Sequence, residues 1–181
     1  MSDFFVQQSH KLLLPKTRDG NPGLRRAQLG ATHALGSHFT LSVEPALVSM
    51  PTGTSKTAVL MMAPFLLESK RTLVITPSRM VRDQIVDGFT SLALLKTLGV
   101  LPADIGTPNA VAVESRIESS NDWTAFNDAD VVITTPMGSS PAIQQVPKPP
   151  EDLFDLLLVD EAHHSPADTW SALIDAFPIS C

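Results

Sequence analysis

Residues 46–57 of the chain read ALVSMPTGTSKT, an apolar run followed by a polar turn. The run at 46–50 has the length and composition of a buried strand, and the residues after the turn are typical of a helix. In such a turn, successive backbone N–H groups surround a phosphate, a lysine contacts the β and γ phosphates, and the next hydroxyl ligates Mg²⁺. The stretch therefore predicts a phosphate-binding loop made of Pro51, Thr52, Gly53, Thr54, Ser55, Lys56 and Thr57.

The loop departs from the strict pattern at one position, where Ser55 stands in place of glycine. Glycine at this position lets the backbone lie against a phosphate and adopt conformations that a Cβ disfavours. For this segment alone, a polar turn between strand and helix with a surface lysine is the alternative interpretation.

A second apolar run, at 156–159, ends in two adjacent acids, Asp160 and Glu161. The chemistry that explains acids at the end of a buried strand is a Mg²⁺ held by Asp160, with Glu161 orienting and deprotonating an attacking water. An exposed acidic turn is the alternative. Asp160 follows Lys56 by 104 positions and a further strand, and the two segments together favour a site for a nucleoside triphosphate and Mg²⁺.

Short apolar runs alternate with helical patterns along the chain. Strands are predicted at 46–50, 72–76, 131–135 and 156–159, and helices at 24–35, 56–68, 79–98 and 167–177. This alternation predicts an α/β fold with a parallel sheet flanked by helices. Ligands of such sheets bind beyond the carboxyl ends of the strands. Residues 1–23, with prolines and glycines near their end, are predicted to be an extension or linker before the first regular element.

The composition excludes several other classes of protein. The chain has 181 residues, 43% of them apolar, and one cysteine, Cys181, so we expect one domain without an internal disulfide. The longest apolar stretch is interrupted by Pro64 and is shorter than the ~20 residues that span a bilayer, which together with the lack of a basic leader predicts a cytoplasmic protein.

The net charge of −6 divides into +6 for residues 1–82 and −12 for the remainder. This asymmetry is compatible with a nucleic-acid surface and equally with ordinary variation.

With these motifs in place, residues 24–177 resemble the first RecA-like domain of superfamily 2 helicases. The sequence Asp160-Glu161-Ala162-His163 is similar to a DEAH box. The MPTGT sequence at 50–54 and His164 are similar to the branch that contains type III restriction subunits and nucleotide-excision helicases. The resemblance implies ATP and Mg²⁺ as ligands and a role for His163 in communication with a second RecA-like domain.

Two further segments resemble the family's nucleic-acid motifs, and both follow predicted strands. Thr76-Pro77-Ser78-Arg79 is similar to motif Ia, and Thr134-Thr135-Pro136 is similar to motif Ib. The resemblance implies that Pro77, Ser78, Arg79, Thr135 and Pro136 hold the backbone of DNA or RNA without sequence preference. Arg79 and Arg82 could equally be solvated helix residues. Gln28 matches the family's adenine-contacting glutamine, although it could also be an ordinary helix residue.

The function implied by the resemblance is ATP-dependent translocation on, or remodelling of, DNA or RNA. A degenerate, non-catalytic remnant or nucleic-acid-binding adaptor is the alternative, favoured by Ser55, and a P-loop kinase or transferase is a weaker one. By resemblance, the strand with the family's Ser/Thr-Ala-Thr motif and the second RecA-like domain lie beyond residue 181. We therefore expect the domain at 24–181 to be a partial, C-terminally incomplete RecA-like unit, neither a helicase nor an efficient ATPase by itself.

Overall fold

The central feature of the fold is a four-stranded parallel sheet. A computed structural model of the chain describes residues 3–18, 20, 22–51, 53–139 and 146–161. The strands are β1 (Thr72–Ile75), β2 (Ala110–Ala112), β3 (Val131–Thr134) and β4 (Leu156–Val159), in the spatial order β2-β3-β1-β4. Both pairings of β1 are in register, with Thr72 opposite Val131 and Leu156. The predicted parallel α/β architecture is confirmed.

Helices connect the strands and cover the sheet. In chain order they are α1 (Phe4–Gln8), α2 (Arg26–Leu41), α3 (Lys56–Leu66), α4 (Arg79–Ser91), α5 (Ala93–Thr97) and α6 (Pro136–Ser139), with short 3-10 turns at Ser9–Lys11 and Ser120–Phe126. The predicted helix at 79–98 is divided in two because Leu92 takes a left-handed conformation, with φ 54°. The predicted helix at 167–177 lies outside the described residues. No helix within the described ranges is long and apolar enough to cross a membrane.

Alternate residues of the central strands serve two separate cores, one on each face of the sheet. In β1, Val74 belongs to the first core, whereas Leu73 and Ile75 belong to the second. The first core also holds the apolar faces of α3 and α4, and the second is built around Trp123. Burial on both faces explains why the strands read as continuous apolar runs.

The N-terminal residues contain regular structure that the sequence patterns do not predict. Phe5 of α1 is fully buried in the first core, where its ring contacts Phe65 edge to face at 4.8 Å. The Leu13 N–H donates to the Val100 carbonyl at 2.8 Å. Residues 3–18 therefore pack onto the α/β unit.

The predicted strand at 46–50 is wrong. None of its residues joins the sheet, and Leu47 is 86% exposed. Only Met50 packs against the first core. A buried strand needs a neighbour that satisfies its backbone groups, and none of the four described strands pairs with this run. An apolar run without such a neighbour leaves its N–H and C=O groups to water.

Candidate functional site

The two segments with nucleotide-binding character meet at the carboxyl edge of the sheet. Lys56 is the first residue of α3, and Glu161 follows β4 by two positions. The Lys56 Nζ donates to the Glu161 Oε1 at 3.3 Å, and both side chains are about one third exposed. Although 104 residues lie between them, the fold thus places the lysine and the acidic pair in one partly open site.

The loop before α3 adopts the backbone conformation that the strict glycine pattern anticipates. Gly53 has φ 76°, and Ser55, the residue before Lys56, has φ 55° and ψ 62°. This is the left-handed region, which costs ~1–3 kcal/mol for a non-glycine residue in a position held by its surroundings. Ser55 therefore occupies a strained position that glycine would fill without strain. Thr52 lies outside the described residues.

Helix α2 and the residue before it hold this loop through two contacts to backbone carbonyls. The Arg25 guanidinium donates to the Gly53 carbonyl at 2.8 Å, and the Gln28 amide donates to the Ser55 carbonyl at 3.2 Å. The Gln28 Oε1 also accepts from the Arg25 N–H at 2.8 Å and thereby caps the start of α2. Gln28 is only 2% exposed. The structure thus gives it a supporting contact with the loop that its place in the sequence does not predict.

The acidic pair carries an excess of negative charge. Burial and the neighbouring Glu161 carboxylate raise the pKa of Asp160, and a hydrogen bond from the Glu161 backbone and the Lys56 charge oppose this only in part. The backbone N–H of Asp160 donates to the Ile75 carbonyl at 2.9 Å, which fixes the residue at the strand end. A carboxylate in such surroundings fits a divalent cation, whose charge would relieve the repulsion.

The structure brings the two segments that resemble motifs Ia and Ib side by side beyond the ends of β1 and β3. The Thr76 N–H donates to the Thr134 carbonyl at 2.9 Å, and the buried Thr76 hydroxyl donates to the same carbonyl at 3.1 Å. The Ser78 hydroxyl caps α4 by accepting from the Val81 N–H at 3.3 Å, and Arg79 is exposed on the first turn of this helix. Pro77 is also exposed, and Thr135 and Pro136 are partly buried. The residues that the motifs nominate therefore share one edge of the sheet.

Arg82 has a different environment from Arg79. It is only 5% exposed, and its Nη1 donates to the Val113 carbonyl at 2.7 Å. The open possibility of a solvated Arg82 is thus wrong. His163, which the DEAH resemblance nominates, lies outside the described residues.

Two exposed methionines, Met80 and Met137, stand at the starts of α4 and α6 and were not predicted from the sequence. Their exposure depends on how the helices pack. The contacts of Arg25 and Arg82 with backbone carbonyls could not be predicted from the sequence either, because every residue has a backbone carbonyl and the residue type does not indicate which one accepts.

Comparison with solved structures gives the same fold. The chain is similar to the crystal structure of the UvsW helicase from bacteriophage T4, with a TM-score of 0.56 and 18% sequence identity. The similarity covers 95% of this chain and 54% of that one, so the chain spans about half the length of the helicase. The parallel sheet and its helices thus form a RecA-like domain.

Comparison at the level of sequence identifies the family. None of the curated proteins compared with the chain matches it. The family model described as "Type III restriction enzyme, res subunit" matches residues 21–181, which include the loop lysine, both segments that resemble motifs Ia and Ib, and the acidic pair. The chain therefore belongs to the family of type III restriction enzyme res subunits, a branch of the superfamily 2 helicases.

Proposed function

We propose that this domain binds ATP with Mg²⁺ and couples its hydrolysis to movement on, or remodelling of, DNA or RNA. The observation that carries the proposal is the contact between Lys56 and Glu161, 3.3 Å apart across the carboxyl edge of the sheet. A lysine at a helix start and a pair of carboxylates at a strand end are the groups that phosphoryl transfer needs for phosphates, metal and water.

Each residue of the nucleotide site has a proposed role. Lys56 and the loop residues from Pro51 to Thr57 bind the phosphates, Thr57 and Asp160 hold Mg²⁺, and Glu161 orients and deprotonates the attacking water. Mg²⁺ supplies charge neutralisation on the phosphate oxygens when it is bound. Gln28 contributes by holding the loop through the Ser55 carbonyl, in addition to the adenine contact that the resemblance implies.

The nucleic-acid part of the proposal rests on position and charge. Arg79 is exposed at the start of α4, next to the motif Ib segment, and forms no ion pair with an acidic side chain of the described residues. A cation on the first turn of a helix, with the free N–H groups of that turn, forms a phosphate site. The proposal also includes a second RecA-like domain, which in the family supplies arginines across the cleft, and His163, which communicates with that domain.

A binding module that does not turn over ATP is the second candidate function. Ser55 favours it, because the left-handed conformation at φ 55° carries a side chain where the strict loop has none. The two candidates differ in one measurement, the release of phosphate in the presence of single-stranded nucleic acid. The module binds both ligands and releases no phosphate above the uncatalysed rate.

The direct test of the nucleotide site is Lys56→Ala. We expect ATP affinity to fall about 10- to 150-fold, the equivalent of the ~1.5–3 kcal/mol of a hydrogen bond to a charged group. Lys70→Ala is the matched control, because Lys70 is exposed and its backbone contacts Asp155 at the amino end of β4. Calorimetric titration with Mg·ATP measures both variants. Equal affinities for wild type and Lys56→Ala would contradict the proposed site.

A further inference from the structure

The buried arginine on α4 is unusual because its helix face is otherwise apolar. Arg82, Ile85 and Phe89 form the buried face of α4, which packs against β2 and β3. Burial of the Arg82 side chain removes a charge from water, which an apolar side chain at position 82 would not do. Replacements of buried ionic groups by apolar ones are often neutral or stabilising. The presence of arginine thus calls for a role other than stability.

The guanidinium of Arg82 is directed at the loop that follows β2. Its Nη1 donates to the Val113 carbonyl at 2.7 Å, and its Nη2 lies 3.3 Å from the Glu114 Oε2. On its own helix it contacts the Asp83 Oδ1, at 2.9 Å from Nε. Both carboxylates are mostly exposed, whereas the hydrogen bond to Val113 is buried. Because the planar guanidinium has fixed donor directions, the Val113 contact constrains the position of the loop relative to α4.

The same loop is attached at its other end to α6, whose first residue, Pro136, ends the motif Ib segment. The Ile117 N–H donates to the Gly138 carbonyl at 3.1 Å, and Ile117 is buried. The packing there is close, since a Cβ at Gly138 would lie 3.0 Å from the Thr134 Oγ1 and 3.7 Å from the Val113 Cγ1. Residues 113–117 therefore form a bridge from Arg82 on α4 to Gly138 on α6.

We propose that Arg82 is a positioning residue for nucleic-acid binding. Through the 113–117 bridge it sets the spacing between the helix start that carries Arg79 and the segment Thr135-Pro136. This inference rests on the proposed function, because it assigns Arg82 to the same phosphate-binding edge, but Arg82 itself contacts no phosphate. Preorganised spacing of two phosphate contacts raises affinity by reducing the ordering that binding requires.

The experiment compares the full wild-type chain with Arg82→Met, whose apolar side chain suits the buried face, and with Arg82→Lys, which keeps one charged donor. Hydrogen exchange at the Ile117 amide measures the bridge without nucleic acid, and the amides of Val74 and Val132 in the sheet are the internal reference. Fluorescence anisotropy of a labelled single-stranded oligonucleotide, titrated at several salt concentrations, measures binding. Arg79→Ala provides the signature of a lost phosphate contact.

For Arg82→Met we expect Ile117 exchange about 10-fold faster while the reference amides are unchanged, because only local opening is affected. We expect oligonucleotide binding to weaken about 5- to 10-fold at every salt concentration, with an unchanged salt slope, whereas Arg79→Ala lowers the slope by about 1. Arg82→Lys should restore part of both effects.

Two results for Arg82→Met would overturn the positioning role: exchange and affinity equal to wild type, or a reduced salt slope like that of Arg79→Ala. If Arg82→Met does not fold, wild-type exchange at Ile117 in Arg82→Lys overturns the role equally. A wild-type chain without salt-sensitive binding would instead contradict the proposed function, while the exchange of Ile117 still reports on the bridge.

Discussion

The two ends of the sheet differ in how their polar groups are satisfied. At the amino end, the Asp155 carboxylate accepts from the Ser69 hydroxyl and from the backbone N–H groups of Lys70 and Arg71, at 2.6, 2.7 and 3.0 Å. The Arg71 side chain donates to the carbonyls of Asn127, Ala129 and Leu153. At the carboxyl end, Ser55 and Glu161 have positive φ values, and two adjacent carboxylates repel each other.

This difference separates what stabilises the fold from what the fold presents to ligands. Hydrogen bonds at the amino end connect three segments that are distant in sequence, and none of these groups lies near the proposed site. Strain and like charges at the carboxyl end persist because the surrounding structure holds them in place. Substitutions at the amino end should therefore change stability alone, whereas those at the carboxyl end should change both stability and ligand binding.

The largest effect is expected for Asp155→Ala, which leaves three donors without their acceptor. At ~1–1.5 kcal/mol for each hydrogen bond, the free energy of unfolding should fall by about 3–4.5 kcal/mol, and the Tm by about 6–18 °C. Asp152→Ala is the matched control, because Asp152 is exposed and three residues away. Calorimetric melting measures both variants. If Asp155→Ala weakens ATP binding of the folded chain at low temperature, the separation of the two ends fails.

A smaller effect of opposite sign is expected for Ser55→Gly. Relief of the left-handed strain, less the greater freedom of glycine in the unfolded chain, should raise the free energy of unfolding by about 1 kcal/mol. ATP affinity should also increase, because a loop without this Cβ can lie closer to a phosphate. Because the folded chain adopts the strained conformation even without ATP, the gain in the free energy of unfolding should exceed the gain in the free energy of ATP binding.

The control for this substitution is Ser49→Gly, at an exposed serine without positive φ, where glycine should leave stability unchanged or lower it. Melting curves and Mg·ATP titrations give both quantities for both variants. A Ser55→Gly chain that melts at the wild-type temperature would show that the conformation at residue 55 carries no strain.

The smallest effect is expected for Asp160→Asn, and it depends on pH. The pKa of Asp160 is raised in the folded chain, so folding favours the protonated carboxyl. Its contribution to stability is complete below the unfolded pKa, near 3.8, and is lost as the pH rises through the folded value. The asparagine amide does not ionise, so the Tm of the variant should exceed that of wild type by an amount that grows from pH 4 to pH 7.

The rise should be modest because solvent screens a half-buried carboxylate. Mg²⁺-dependent ATP binding should weaken at the same time, which opposes the gain in stability. Asp152→Asn, at the exposed neighbour, provides the control. A Tm difference that stays constant between pH 4 and pH 7 would contradict the assignment of the effect to the Asp160 charge.

The sequence was most informative where burial alone decides the structure. Three strands were predicted within one residue of their observed bounds, because runs such as 131–135 are buried on both faces and contain β-branched residues. The positions of Asp160 and Arg79 followed from these strands, because Asp160 comes directly after one strand and Arg79 begins the helix after another, whereas Lys56 was placed by the predicted helix that begins at residue 56.

Features that depend on a distant neighbour could not be predicted. β2 is an edge strand of three residues, Ala110–Ala112, which is too short for its pattern to predict a strand. It is extended because it pairs with β3. The run at 46–50 has a stronger strand pattern, yet it pairs with no described strand. The role of Arg82 follows from a backbone carbonyl 31 positions away, and sequence spacing does not encode such an acceptor.

The close contact between α3 and α4 has a mechanical consequence. Gly88 of α4 faces the buried Met61 of α3, and a Cβ there would lie 3.2 Å from its sulfur. Because Gly88 has no side chain, the Met61 side chain lies directly against the backbone of α4 at this point, so a shift of α3 along the sheet would press on α4. Lys56 stands at the start of one helix and Arg79 at the start of the other. If ATP binding at the proposed site displaces α3, this contact would carry the displacement to α4 and Arg79, and the distance between labels on the two helices would measure how far they move together.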